Sequence, residues 1–313
     1  MGNNLDNLAY SALRREVYKQ LSDKKGGGIT MNDYNEKRLY TRVLTIVTII
    51  CIIIGFTYHI GGLPFRILGF NPFKQAERLS GGTDIATFSE DYDNISQIEV
   101  DCDIINLIIK EGDRTNISIE SQKDMAPTVT SAGNVVSIKQ NLSSSYRGDF
   151  KLSDLKDHIC DVTITVPANG ISQFSADVSL GEIDISDLNS LSVSIISNAG
   201  DISIDNLTSQ QLTVDADMGN IEGSNISAAT ASFNADMGNV DISELSSNNL
   251  KAEVNMGNIE VSFANDIDDY NIALSTDVGN VSVNGKSSSK SFSQAGTGGN
   301  ISIISDMGNI SLE

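Results

Sequence analysis

Tryptophan is absent, histidine occurs twice, and aromatic side chains make up 6% of the 313 residues. Each shortage excludes something. Neither His59 nor His158 has a nucleophile beside it in an arrangement that would make a catalytic pair. His158 lies two residues from Cys160 and would share a strand face with it, but a metal or thiol site needs more ligands than these. Basic residues are also scarce: 21 Lys and Arg stand against 41 Asp and Glu, a formal net charge of -20. After Lys156 only Lys251, Lys286 and Lys290 remain. A polysaccharide-cleaving β-helix clusters carboxylates with Lys or Arg on one face, and here that cluster has no material. No Gly-x-Gly-x-x-Gly follows a strand and opens a helix, so Gly298-Gly299 reads as a turn. No catalytic and no cofactor-binding residues are assigned, and the chain is not expected to be an enzyme. The few aromatics fit a core too narrow for large rings.

The charge is unevenly placed. Residues 1–42 carry eight Lys/Arg against five Asp/Glu, net +3, whereas residues 79–313 carry 10 against 35, net -25. A surface that acidic repels nucleic acid, so no nucleic-acid partner is expected.

What the chain has in abundance is repetition. Asp177-Val-Ser-Leu-Gly-Glu-Ile183, Ile196-Ser-Asn-Ala-Gly-Asp-Ile202, Asp215-Ala-Asp-Met-Gly-Asn-Ile221, Asn234-Ala-Asp-Met-Gly-Asn-Val240 and Glu253-Val-Asn-Met-Gly-Asn-Ile259 are sister segments, joined by Ser275–Val281 and Ile304–Ile310. Gly181, Gly200, Gly219, Gly238 and Gly257 follow one another at a step of 19, and Gly279, Gly299 and Gly308 extend the row with less regular spacing. A fixed period near 20 marks a stacked-repeat architecture. Two residues after each glycine stands Ile or Val, and alternate positions before it are apolar, as in Leu212-Val214-Ala216. Each unit therefore reads as two half-buried strands around a Gly-Asx turn. One unit cannot bury its apolar face alone, whereas stacked units can. The expected fold is all-β, a parallel β-solenoid of roughly 19–20-residue coils behind one transmembrane helix, with the glycines as structural turn residues.

Taken in order, residues 1–42 form a polar tail in which Leu5, Leu8, Leu13 and Val17 mark a narrow face at helical spacing. A loosely ordered tail and a short amphipathic helix that engages a cytoplasmic partner or the membrane surface both fit this pattern. Val43 to Ile60 is free of charge and, with Gly61 to Leu63, reaches the length that spans a bilayer. Lys37, Arg38 and Arg42 crowd its N-terminal side. They place that side in the cytoplasm and the acidic bulk outside, with residues 43–63 as an uncleaved single-pass anchor in the cell membrane. Residues 64–84 read as a juxtamembrane linker, residues 85–170 as an irregular β region capping the first rung, and residues 171–313 as the solenoid repeats. Ser143 to Asp157 reads as a surface loop. Cys51 falls in the membrane, while Cys102 and Cys160 fall outside it. Those two form a disulfide or stay as buried thiols.

The Asx residues flanking the glycines allow two readings. Asp217, Asp236 and Asp277 are the weak candidates for a calcium site, since carboxylates on adjacent coils can share an ion. Alternatively the Asx side chains serve the turn backbone.

The strand Val162-Thr-Ile-Thr-Val-Pro167, running straight into repeated Gly-Asp/Asn-Ile units, resembles a bacterial β-strand-repeat family that goes under the name "putative adhesin" and is of unknown function. The resemblance covers roughly residues 85–313. It implies a β-solenoid behind one membrane helix, a Gram-positive-type envelope setting and, in some members, a link to envelope-stress regulation. It implies no catalytic residues. Two functions are thereby expected: an extracellular structural or interaction module that binds cell-wall material or a protein, or a sensor that signals through residues 1–42.

Overall fold

The computed structural model describes residues 85–122, 125–142 and 160–313. The tail (1–42), the anchor (43–63), the linker (64–84), both histidines, Cys51 and the Ser143–Asp157 loop lie outside the described residues. Among the described residues no helix is long and apolar enough to cross a membrane, and every regular element is a strand.

Three strands of 17 residues set the pattern: Ile202–Met218, Ile221–Met237 and Val240–Met256. They pair parallel at the 19-residue step, so that Ile202, Ile221 and Val240 form one column and Val214, Phe233 and Ala252 another. Every one of these side chains is buried. Each rung thus adds a layer of like side chains to a continuous core, about 4.8 Å above the last. The two corners of a rung differ in chemistry. At one, Gly181, Gly200, Gly219, Gly238, Gly257 and Gly279 take φ between +135° and +155°. At the other, Asp187, Asn206, Asn225 and Glu244 sit in the left-handed region with φ from +50° to +55°, a conformation that Asn and Asp tolerate best. This second corner lets one strand bend round the coil without a break.

The core admits larger rings than its scarcity of aromatics suggests. Phe174 and Phe233 are fully buried. Ala231 and Ala235, the inward neighbours of Phe233 on its own rung, leave the room. At Gly223, the gap in an otherwise aliphatic column, the δ-methyls of Ile226 and Ile242 come within 3 Å of where a Cβ would stand. Neighbouring rungs fill the space.

The rungs do not stack in chain order at either end. The rung Gln97–Ile104 with Asn106–Gly112 lies between Val135–Gln140 with Cys160–Pro167 on one side and Ile171–Leu180 with Ile183–Ser186 on the other. At the far end Asn300–Met307 pairs with Val240–Met256 on one side and Asn271–Val278 on the other. Ile310–Leu312 is likewise held between Ile259–Phe263 and Val281–Val283. At the far end the chain therefore leaves a vacant layer, builds the layer beyond it, and returns to fill the gap. At the first end it builds the inner layer, then the outer one, and crosses back over the inner layer to continue the stack. Region 85–170 is accordingly not cap alone, since it supplies two full rungs. Antiparallel strands close both ends: Thr115–Gln122, Ile85–Tyr92 and Thr128–Ala132 at one, Lys286–Ser288 and Ser291–Gln294 at the other. Such covering strands blunt a sheet edge that would otherwise template further pairing.

Candidate functional site: the glycine corner and its methionine ridge

At the glycine corner successive backbones nearly touch. A Cβ on Gly200 would stand 1.9 Å from the Gly181 carbonyl oxygen, and one on Gly238 would stand 1.8 Å from that of Gly219. The column continues from Gly257 to Gly308 and then to Gly279, following the spatial order. Gly299 is a correction to the expected row. It lies against the Asn248 carbonyl and the Tyr270 ring, at the entry to its strand rather than at the corner. The Gly-Asn-Ile pattern at 299–301 imitates a turn unit, but Asn300 aligns with Asn249 and Asn271.

The residue after each glycine forms an amide ladder. Asp201 Oδ1 accepts from the Asn220 backbone N–H at 2.7 Å, Asn220 Oδ1 from Asn239 N–H at 3.0 Å, and Asn239 Oδ1 from Asn258 N–H at 2.9 Å. Asn258 Oδ1 then accepts from Asn309 N–H at 2.8 Å, and Asn309 Oδ1 from Asn280 N–H at 3.0 Å. The Asx side chains thus bond the turn backbone of the next rung. The left-handed corner carries a shorter ladder: Asn206 Nδ2 donates to Asp187 Oδ1 at 3.0 Å and Asn225 Nδ2 to Asn206 Oδ1 at 2.6 Å. Its signal, an acid or amide six residues after the glycine in four successive units, was open to reading in the sequence.

Two residues before the glycines, the column runs Asp217, Asp236, Asn255, Asp306, Asp277. Asp236 Oδ1 accepts from Asn255 Nδ2 at 2.9 Å. The rungs of Asn255 and Asp306 separate Asp277 from Asp236. The three calcium candidates are therefore not brought together as a set. Among the described residues no group of three or more His, Cys, Asp or Glu could hold a metal ion.

Between these two polar rows runs a feature that the alternation conceals. Leu212, Val214 and Ala216 point inward and are buried; Met218 has the same parity but falls at the rim, where the chain turns, and is 49% exposed. Met237 is 41% exposed, and Met256 and Met307 are half-buried. The register stacks Ala199, Met218, Met237, Met256, Met307 and Val278 on consecutive rungs. Leu180 and Ile104, paired on the next rungs, extend the row. A solvent-facing apolar ridge flanked by acids and amides follows the length of the stack. Contiguous exposed apolar surface is the feature by which interaction sites are recognised.

Acidic side chains also crowd elsewhere on the rungs. Asp101 and Asp177 align on adjacent strands. Burial, and then the Asp101 charge, raise the Asp177 carboxyl above its ordinary value. Glu182 is raised by burial and then by Asp201 and Asp184; Asp184 is raised by burial and then by Asp205. Carboxyls raised on folding hold protons more tightly in the folded state. Their contribution to stability is in place below the ordinary values, 3.8 for Asp and 4.5 for Glu, and is lost as pH climbs through the raised ones. The melting temperature should therefore be higher in mildly acidic buffer than at neutral pH. Asp184→Asn should flatten that slope, and a melting temperature that falls on mild acidification would contradict this electrostatic reading.

Cys102 and Cys160 are free, buried thiols. Burial is the main cause that pushes each up to about 12. Gln140, aligned with Cys102 on the neighbouring strand, donates its amide Nε2 toward Cys160 Sγ at 3.5 Å and to the Met125 carbonyl at 2.6 Å.

No curated protein matches the chain. Among solved structures, it is similar to a "putative adhesin" from Bacteroides fragilis, at 16% identity and a TM-score of 0.47 over 74% of this chain and 98% of that one. A "putative cell adhesion protein" from Clostridium sporogenes aligns at 13% identity and a TM-score of 0.37, covering 74% and 99%. A "putative lipid binding protein" from Parabacteroides distasonis aligns at 11% and 0.40, covering 74% and 98%. The Toastrack DUF4097 family model matches residues 95–312, from the first buried rung to the last, and the chain belongs to that family.

Proposed function

We propose that the chain is a single-pass membrane protein whose extracellular β-solenoid is an adhesin-like interaction module at the cell envelope. The observation that carries this reading is the ridge from Leu180 to Val278, an apolar row left facing solvent between polar rows. Its ligand is cell-wall material or a protein surface, and the net charge of -25 over residues 79–313 favours one with cationic groups. The anchoring part of the proposal is supported by the uncharged run Val43 to Ile60 with Lys37, Arg38 and Arg42 before it.

Protease added to intact cells should remove the solenoid and spare residues 1–42; a protected solenoid would reverse the topology. Full-length protein should co-sediment with cell-wall fragments or with cells carrying its partner. Met218→Glu/Met237→Glu should abolish that co-sedimentation with the melting temperature kept, because both side chains are outside the core. Unchanged binding in that variant would move the contact off the ridge. The second reading, a sensor signalling through residues 1–42, is supported by the Leu5/Leu8/Leu13/Val17 face. It requires a cytoplasmic protein retained by that segment and released by Leu8→Asp/Leu13→Asp.

A further inference from the structure

Four of the seven methionines in the chain, Met218, Met237, Met256 and Met307, occupy one column of the ridge on consecutive rungs. An apolar contact edge needs no sulfur, and Leu180 and Val278 serve the same row without it. Methionine adds a polarizable thioether on a side chain with three rotatable bonds. Parallel in-register strands put neighbouring methionines about 4.8 Å apart at the backbone, a gap those bonds can close. Thioether sulfur is a soft, neutral donor that selects Cu(I) over hard cations such as calcium or magnesium.

From this placement we infer that the methionine ridge is a binding site for Cu(I), one ion being held between the thioethers of neighbouring rungs. The surrounding acidity raises the local concentration of any cation without supplying its ligands. Other soft donors among the described residues are poorly placed. Cys102, Cys160 and Met125 are buried. A thioether has no proton to lose, so the site keeps its ion in mild acid, where sites built from His, Cys or carboxylate weaken. The inference goes beyond the adhesin-like reading and does not depend on it, since a ridge with no partner surface would still present four thioethers.

The test is anaerobic titration of the full-length protein with Cu(I) against a coloured Cu(I) chelator at pH 7 and pH 5. Wild-type protein should withdraw copper from the chelator equally at both. Replacing all four residues (Met218→Leu, Met237→Leu, Met256→Leu, Met307→Leu) keeps the ridge apolar and should weaken binding by at least about tenfold. Methyl-labelled methionine spectra of the wild type, read with the redox-inert Ag(I), provide a measurement that needs no variant. The four ridge methyls should shift and that of buried Met125 should not. No withdrawal of copper, withdrawal undiminished in the leucine variant, binding lost at pH 5, or an unshifted ridge would each overturn the inference. A leucine variant that still co-sediments with its partner but no longer holds Cu(I) would support the metal site and leave the docking role standing.

Discussion

Deleting residues 300–313 should unfold the distal end of the solenoid rather than trim it. In a stack built in chain order these residues would form a terminal, dispensable rung. Here Ile301 and Ile303 lie between Leu250/Ala252 and Ile272/Leu274, while Ile310 and Leu312 lie between Ile259/Val261 and Val281/Val283. Removing them takes four buried apolar side chains away and leaves a slot two strand spacings wide, about 9.6 Å, between the layers that remain. Truncating a single buried Ile or Leu costs about 2–5 kcal/mol, so losing four rivals the whole stability of an ordinary domain, about 5–15 kcal/mol. Because each rung contacts only its neighbours, the damage should stay local. The rungs of Gly181 to Gly238 should persist while residues 264–299 become protease-sensitive. Stepwise proteolysis and a split melting curve would report this, and a synthetic 300–313 peptide should partly restore the lost transition. An unchanged melting curve would refute the interleaved order.

Gly238→Ala should be among the most damaging single substitutions at the glycine corner. Its φ is +153°, a region L-residues rarely enter. The added Cβ would also stand 1.8 Å from the Gly219 oxygen and 2.6 Å from its carbonyl carbon. A backbone carbonyl held in a parallel ladder cannot step aside as a side-chain tip can. Relief comes only by parting two rungs, which would strain the Gly219 N–H bond to the Met237 oxygen and the Asn239 bond to Asn220. A loss of about 3–5 kcal/mol is expected, the range of severe backbone and packing lesions. Gly133→Ala is the control: its φ is +64°, with nothing within 4 Å of the new methyl, so only the conformational cost of about 1 kcal/mol applies. Equal losses of melting temperature in the two variants would show that strain alone, and not rung contact, governs the corner.

Much of this architecture was written locally. The step of 19, the inward parity of Ile202, Ile221 and Val240, and the glycine at each tight corner are properties of one unit repeated. Alternation and turn chemistry act over a few residues, so they can be read without knowing what lies across the core. The Asx rows were legible as turn residues for the same reason, although their partners turned out to sit on the next rung.

Tertiary structure decided what local chemistry leaves equivalent. Units 271–283 and 300–312 carry the same strand pattern, and a parallel ladder accepts either against the Gly257 rung. Their order depends on long-range pairing, and so does the difference between Gly299 and Gly308. The same holds for Phe233, whose ring fits because alanines flank it on the same rung and Ala252 lies above. Most of all it holds for the methionines. By parity Met218 belongs with Leu212, Val214 and Ala216, and the sequence by itself assigns all four alike. Only the turn at Gly219, which ends the buried face one residue too soon to enclose it, brings that column of thioethers out to solvent.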